Sequence, residues 1–267
     1  MFKLIKYEIK TISKEFLIIL GVIVLLNIAL MTRIHVWSND AIVGLSFLIL
    51  FGASVAAFIY NIITFTRDLK QDTGYLIFSI PKSGYSILGA KLISSLIVMI
   101  LVSIVGGIMM FLVGVVALGN FDAFLSAFTD LKNVTNLDIF KFSLVLIADA
   151  IIGILLYVQL LLFIYFAVSI SRAIMNKRKF SGLVAFLIFI VTNLIVGKVY
   201  QLICEAFPKT INPYVTIYGD SYLNSTTASD PSILLMPVDI AGGIFYIIIM
   251  IGLFIGIGYI LEKKIDL

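Results

Sequence analysis

The chain has 267 residues, of which 61% are hydrophobic and 13% charged, with a mean hydropathy of +1.16 and a formal net charge of +4. Soluble domains are roughly 45–50% apolar and about 25% charged, so water is not the main solvent of this protein. A single cysteine, Cys204, and a single histidine, His35, exclude an internal disulfide and a Cys/His zinc cluster built by one chain.

Crossing about 30 Å of hydrocarbon takes roughly 20 helical residues. Six apolar runs approach or exceed that length: 16–34, 41–65, 87–118, 142–170, 183–204 and 238–261. The pattern predicts an all-α polytopic membrane protein. Six spans and short loops use nearly the whole length, so residues 1–267 read as one membrane domain with no separate soluble catalytic domain. The first run is too long for a cleaved signal, and no small-residue cleavage site follows it.

Ahead of that run, Ile5, Ile9, Ile12 and Phe16 recur at helical spacing on one face, while Lys3, Lys6, Lys10 and Lys14 lie mostly off it. This predicts a basic amphipathic elbow helix at the inner membrane face. The competing reading is a plain cytoplasmic extension of the first span. The two differ in whether the chain turns at residues 13–15. Within the first two spans, Asn27 and Asn61 are polar groups that can bond between helices.

The loop at 67–85 mixes the charges Arg67, Asp68, Lys70, Asp72 and Lys82 with the apolar stretch Tyr75, Leu76, Ile77 and Phe78. Pro81 disfavours helix at Ile80, and Ser83 is placed to cap the third span. A short helix over 68–78 offers either a docking surface for a cytoplasmic protein or an interfacial helix resting on lipid.

Beyond the third span, Phe121, Phe124, Leu125, Phe128 and Leu131 form a helical stripe expected to lie on the outer bilayer surface. Asp149 sits on the fourth span about two turns from its outer end, where a structural role competes with an ion site. Gln159 and, on the fifth span, Asn193 are further interhelical bonding groups. The loop 205–237 carries Pro208, Pro213, Pro231 and Pro237 with the interfacial tyrosines 214, 218 and 222, and it either stays outside or dips back into the outer leaflet. The Asn224-Ser225-Thr226 acceptor pattern is too common to carry weight. Gly252 and Gly256 form a G-x-x-x-G on the last span that permits close packing against an unspecified helix.

Orientation follows from lysine and arginine. Lys3, Lys6, Lys10, Lys14, Arg67, Lys70, Lys82, Lys91, Arg172, Lys177, Arg178, Lys179, Lys263 and Lys264 fall on one side, fourteen of the nineteen. That side is expected to be cytoplasmic, with both termini there, facing an anionic leaflet. Nucleic acid is not implied. There is no G-x-x-x-x-G-K-[ST] phosphate loop and no nucleophile or metal constellation, so an enzyme is not expected.

The start Lys3-Leu4-Ile5-Lys6-Tyr7-Glu8-Ile9-Lys10, the loop running from Arg67-Asp68-Leu69 through Gly74-Tyr75-Leu76 and Ser79-Ile80-Pro81, and Gly89-Ala90-Lys91-Leu92 resemble the permease subunits of type 2 ABC exporters. The resemblance covers the whole chain in architecture and is specific at the start and in that loop. It implies a separate ATPase subunit that binds ATP and magnesium, while this chain binds no cofactor or metal. It implies a working unit of two permease chains, identical or not, with two ATPases. The loop residues Arg67, Asp68, Lys70, Tyr75, Leu76, Phe78, Pro81 and Lys82 would then couple to the ATPase, and spans one, two and five would meet across the dimer axis. Asn27, Asn61, Asp149 and Asn193 are the polar candidates for the pathway. An apolar pathway favours an amphipathic cargo, a peptide or peptide toxin, and the residue usage points to a bacterial cell membrane. The competing classes are an ion-coupled secondary transporter, for which Asp149 is the acidic candidate, and a non-transporting membrane immunity protein.

Overall fold

The structure is a computed structural model, and it describes residues 2–34, 36–70, 83–119, 121, 126, 139–174, 181–208, 210–211 and 238–263. Six long helices account for almost all of them: α1 (Phe2–Met31), α2 (Asn39–Lys70), α3 (Gly84–Ala117), α4 (Ile139–Ile174), α5 (Ser181–Ala206) and α6 (Ile240–Lys263). Each is long and apolar enough to cross a membrane. Where lipid surrounds a chain, the backbone must satisfy itself, and continuous helices do so. The described residues also include a two-residue antiparallel pairing of β1 (Thr210–Ile211) with β2 (Val238–Asp239), Thr210 opposite Asp239 and Ile211 opposite Val238.

The helix ends follow local chemistry. The Ser38 carbonyl accepts from the Ile42 amide at 3.2 Å, and Asp40 lies in the first turn of α2, where the dipole favours an acid. α3 starts at Gly84, directly after the expected cap Ser83. It ends at Ala117, and two residues on Gly119, with a φ of 93°, takes a left-handed closing conformation, its amide donating to the Val116 carbonyl at 3.1 Å.

A separate elbow helix is not shown. α1 runs through 13–15 as one helix, because Ser-Lys-Glu supplies neither proline nor glycine, the usual sources of a sharp kink. The Ser13 hydroxyl donates to the Lys10 carbonyl at 2.8 Å and stays within the helical turn. The apolar stripe of this segment is used differently from the expectation. Ile12 is buried and Phe16 packs against the same interior cluster, while Ile9 stays exposed.

Two compact units make up the fold. The first comprises Met1–Lys82 and Ser86–Asn136, the second Ser83–Tyr85 and Leu137–Leu267. In the first, α1, α2 and α3 meet around Ile12, Ile23, Ala57, Val98, Val102 and Met109, with a smaller cluster of Ile34, Ile42 and Val113. Gly106 lets α3 approach the Leu50 side chain of α2 closely. In the second, α4 packs against both α5 and α6. The Ser171 hydroxyl donates to the Ser181 carbonyl at 2.6 Å and ties the end of α4 to the start of α5. Tyr200 stacks on Tyr246 at 4.8 Å between ring centres, with the Tyr200 hydroxyl 3.4 Å from an Asp239 carboxylate oxygen. Of the two glycines in the G-x-x-x-G, Gly256 faces Phe166 within the unit, and Gly252 faces open space.

Candidate functional site

The strongest polar constellation among the described residues lies in the first unit. Lys91, in the second turn of α3, is 5% exposed, and its ammonium donates to Glu8 Oε1 of α1 at 3.0 Å and to Asp68 Oδ2 of α2. Asp68 is itself 8% exposed, two residues before the end of α2. An ammonium has three protons to donate, and two of them join helices that are 83 and 23 residues away in sequence.

Helical geometry explains why these side chains converge. Glu8 is one turn before the buried Ile12, so the face that carries Ile12 inward also carries Glu8. Asp68 shares the buried side of α2 with Phe65, Thr64 and Leu69, and Lys91 lies among the buried Leu88, Ala90, Ser94 and Ser95. Those serines donate to carbonyls of their own helix, Ser94 to Lys91 at 2.9 Å and Ser95 to Leu92 at 2.8 Å, so they do not compete for the ammonium. The formal charge of the trio is −1. Desolvating ions is expensive unless each has a partner, and here every one of the three charged groups has one.

Arg67 and Asp68 belong to the last turn of α2, with Arg67 half-buried. Lys70 ends that helix. Tyr75, Leu76, Phe78, Pro81 and Lys82, together with the expected short helix at 68–78 beyond residue 70, lie outside the described residues, as do most of the outer stripe 121–131 and of the loop 205–237.

The four polar residues expected within the spans are divided between the two units, Asn27 and Asn61 in the first and Asp149 and Asn193 in the second. Asn27 is 1% exposed and spends both ends of its amide inside the first unit. Its nitrogen donates to the Ile23 carbonyl at 2.9 Å, and its oxygen accepts from the Ser46 hydroxyl of α2 at 2.6 Å. The interhelical bond expected of it is therefore present. Asn61 is buried on α2. Asn193 donates to the Phe189 carbonyl of its own helix at 2.9 Å, and Asp149 is exposed on α4.

Glu8 and Lys91 were quoted above for family resemblance and charge count, without a role of their own. The sequence did hold one signal: Lys91 falls inside the apolar run 87–118, where a charge needs a partner. Comparison with protein-family models, with curated proteins and with solved structures finds no match. The fold thus defines the class, a multi-pass membrane protein with six apolar helices.

Proposed function

We propose that this chain is the permease subunit of an ATP-driven exporter of the type 2 ABC kind, located in a bacterial plasma membrane with both termini cytoplasmic. It forms the pathway with a second permease chain and exports an amphipathic substrate, a peptide or peptide toxin. Two copies of a separate ATPase subunit bind ATP and magnesium and supply the work.

The observation that carries this reading is the hairpin of α2 and α3. These helices have 32 and 34 residues, about 48 and 51 Å at 1.5 Å per residue, against about 30 Å of hydrocarbon. Their joined ends hold Asp68 and Lys91 in a buried ionic bond to α1. The helix ends that flank 71–82 thus share a buried ionic base, which supports docking of a cytoplasmic partner there. α5 supports the second permease chain: its span is only 6% buried, which leaves its apolar side chains to lipid or to a facing subunit.

The test is reconstitution in proteoliposomes with a candidate phosphate-loop ATPase, sought first in the neighbouring reading frames. Export of a fluorescein-labelled amphipathic peptide should require both the ATPase and ATP. Uptake driven by a proton gradient without the ATPase would replace this reading with the secondary transporter, and peptide binding with no transport under either drive would replace it with the immunity protein.

A further inference from the structure

The first turns of α1 raise a mechanical question. Lys3, Lys6, Tyr7, Ile9 and Lys10 are exposed there, and from Lys3 onward the first buried apolar side chain is Ile12. Packing alone holds this segment weakly. Its strongest tie is the Glu8 carboxylate, bound to an ammonium that also holds the end of α2.

We infer that Lys91 is a positioning residue that clamps the start of α1 to the end of α2 and the start of α3, so that a displacement of either of those helix ends moves three helices as one body. The clamp is a property of this chain alone. Its use in coupling rests on the exporter reading.

Three features argue for it. The trio sits where the loop begins: Asp68 is two residues before the last residue of α2, and Lys91 is seven residues past the first of α3. A load entering at the loop therefore reaches Lys91 within two helical turns on one arm and less than one on the other. Without the ammonium, two carboxylates would face each other, and like charges would drive α1 from α2. Ions also fix what an apolar contact leaves free. A leucine cluster at the end of a span tolerates sliding and sinks toward the hydrocarbon, whereas two bonds to one ammonium set both the rotation and the axial level of α1.

The experiment uses the full chain in nanodiscs, with Cys204→Ser and spin labels at the exposed positions Tyr7→Cys on α1 and Ile63→Cys on α2. Four forms are compared: the parent, Lys91→Arg, Lys91→Met and the uncharged Glu8→Leu/Asp68→Leu/Lys91→Met. Pulsed dipolar spectroscopy should give one narrow distance in the parent and in Lys91→Arg, and a distribution at least twofold broader in the other two. The uncharged form, which leaves no carboxylate stranded, keeps the measurement decisive if Lys91→Met fails to fold. A narrow distance in the uncharged form overturns the clamp. In proteoliposomes with the ATPase, peptide exported per ATP hydrolysed should fall about tenfold in the uncharged form and be retained in Lys91→Arg, whereas an unchanged ratio in the uncharged form overturns the role in coupling. Parent protein without ATP-driven export overturns the exporter reading and leaves the distance measurement to decide the clamp by itself.

Discussion

Lys91 illustrates how unequal the three ways of disturbing a buried ionic group are. Removing one partner leaves uncompensated charge and costs about 3–5 kcal/mol, whereas replacing every member by apolar side chains is often neutral or better. Lys91→Met should therefore melt well below the parent in detergent, and the uncharged triple variant should recover most of the loss. A Lys91→Met protein that melts with the parent would mean that the carboxylates are not held together. The glycines of α6 make a second contrast. An alanine at Gly242 would bring its Cβ to 3.0 Å from Tyr200 Cζ and 3.1 Å from Cys204 Sγ, and Tyr200 is held in place by its stack on Tyr246. Overpacking of that sort costs about 1–3 kcal/mol. At Gly252 nothing lies within 4 Å, so Gly252→Ala should change the stability of the monomer by less than about 0.5 kcal/mol. Thermal melts of the two alanine variants, compared at a protein concentration that keeps the chain monomeric, check both values.

At the scale of elements, an even number of crossings returns a chain to the side on which it began, so the six candidate spans among the described residues support the proposal that both termini share one side. The lysine and arginine distribution is the ground on which that side is proposed to be cytoplasmic. Single cysteines at Lys70 and Lys177 in a Cys204→Ser background should react with an impermeant maleimide only from inside, and one at Ser225 only from outside. Labelling of Lys70 from outside would reverse the assignment. The six helices were legible in the sequence because a bilayer demands some twenty consecutive apolar residues, a signal that no soluble core imitates at this density. The course of α1 was less so. Periodicity told which side chains share a face, but Ile5, Ile9, Ile12 and Phe16 can turn that face to lipid or to a neighbouring helix without any change in spacing. The structure turns Ile12 and Phe16 toward α2 and α3. Asn27 was legible as an interhelical bonding group because an amide in hydrocarbon has few other uses, although its partner Ser46 was not. The meeting of Glu8, Asp68 and Lys91 depends on how three helices lie side by side, and spacing along one chain contains no such distance.

At the scale of the whole molecule, the exporter proposed above has no phosphate loop in its own sequence, so on that proposal its work comes from a separate ATPase. The proposed source docks at the loop 71–82, and the docking energy should reside in its aromatic side chains more than in its charges. Tyr75 and Phe78 are bracketed in sequence by Arg67, Asp68, Lys70, Asp72 and Lys82. An aromatic anchor buried at a partner surface typically costs about 2 kcal/mol or more when truncated, while an exposed rim charge contributes far less and mainly affects the rate of encounter. Of the charges, Asp68 is already committed to Lys91 within this chain, which removes it from the set available to a partner. Tyr75→Ala with Phe78→Ala should therefore release the ATPase during co-purification, and Lys82→Gln should retain it at physiological salt, where screening acts beyond about 8 Å. The double variant should melt like the parent, because the ties described among α1, α2 and α3 are made elsewhere in the chain: Lys91 holds Glu8 and Asp68, and Ser46 holds Asn27. A double variant that keeps its ATPase as fully as the parent would move the docking site elsewhere, with 171–181 the next cytoplasmic candidate. A double variant that loses both its ATPase and its melting temperature would show that the loop is part of the fold rather than a surface displayed by it.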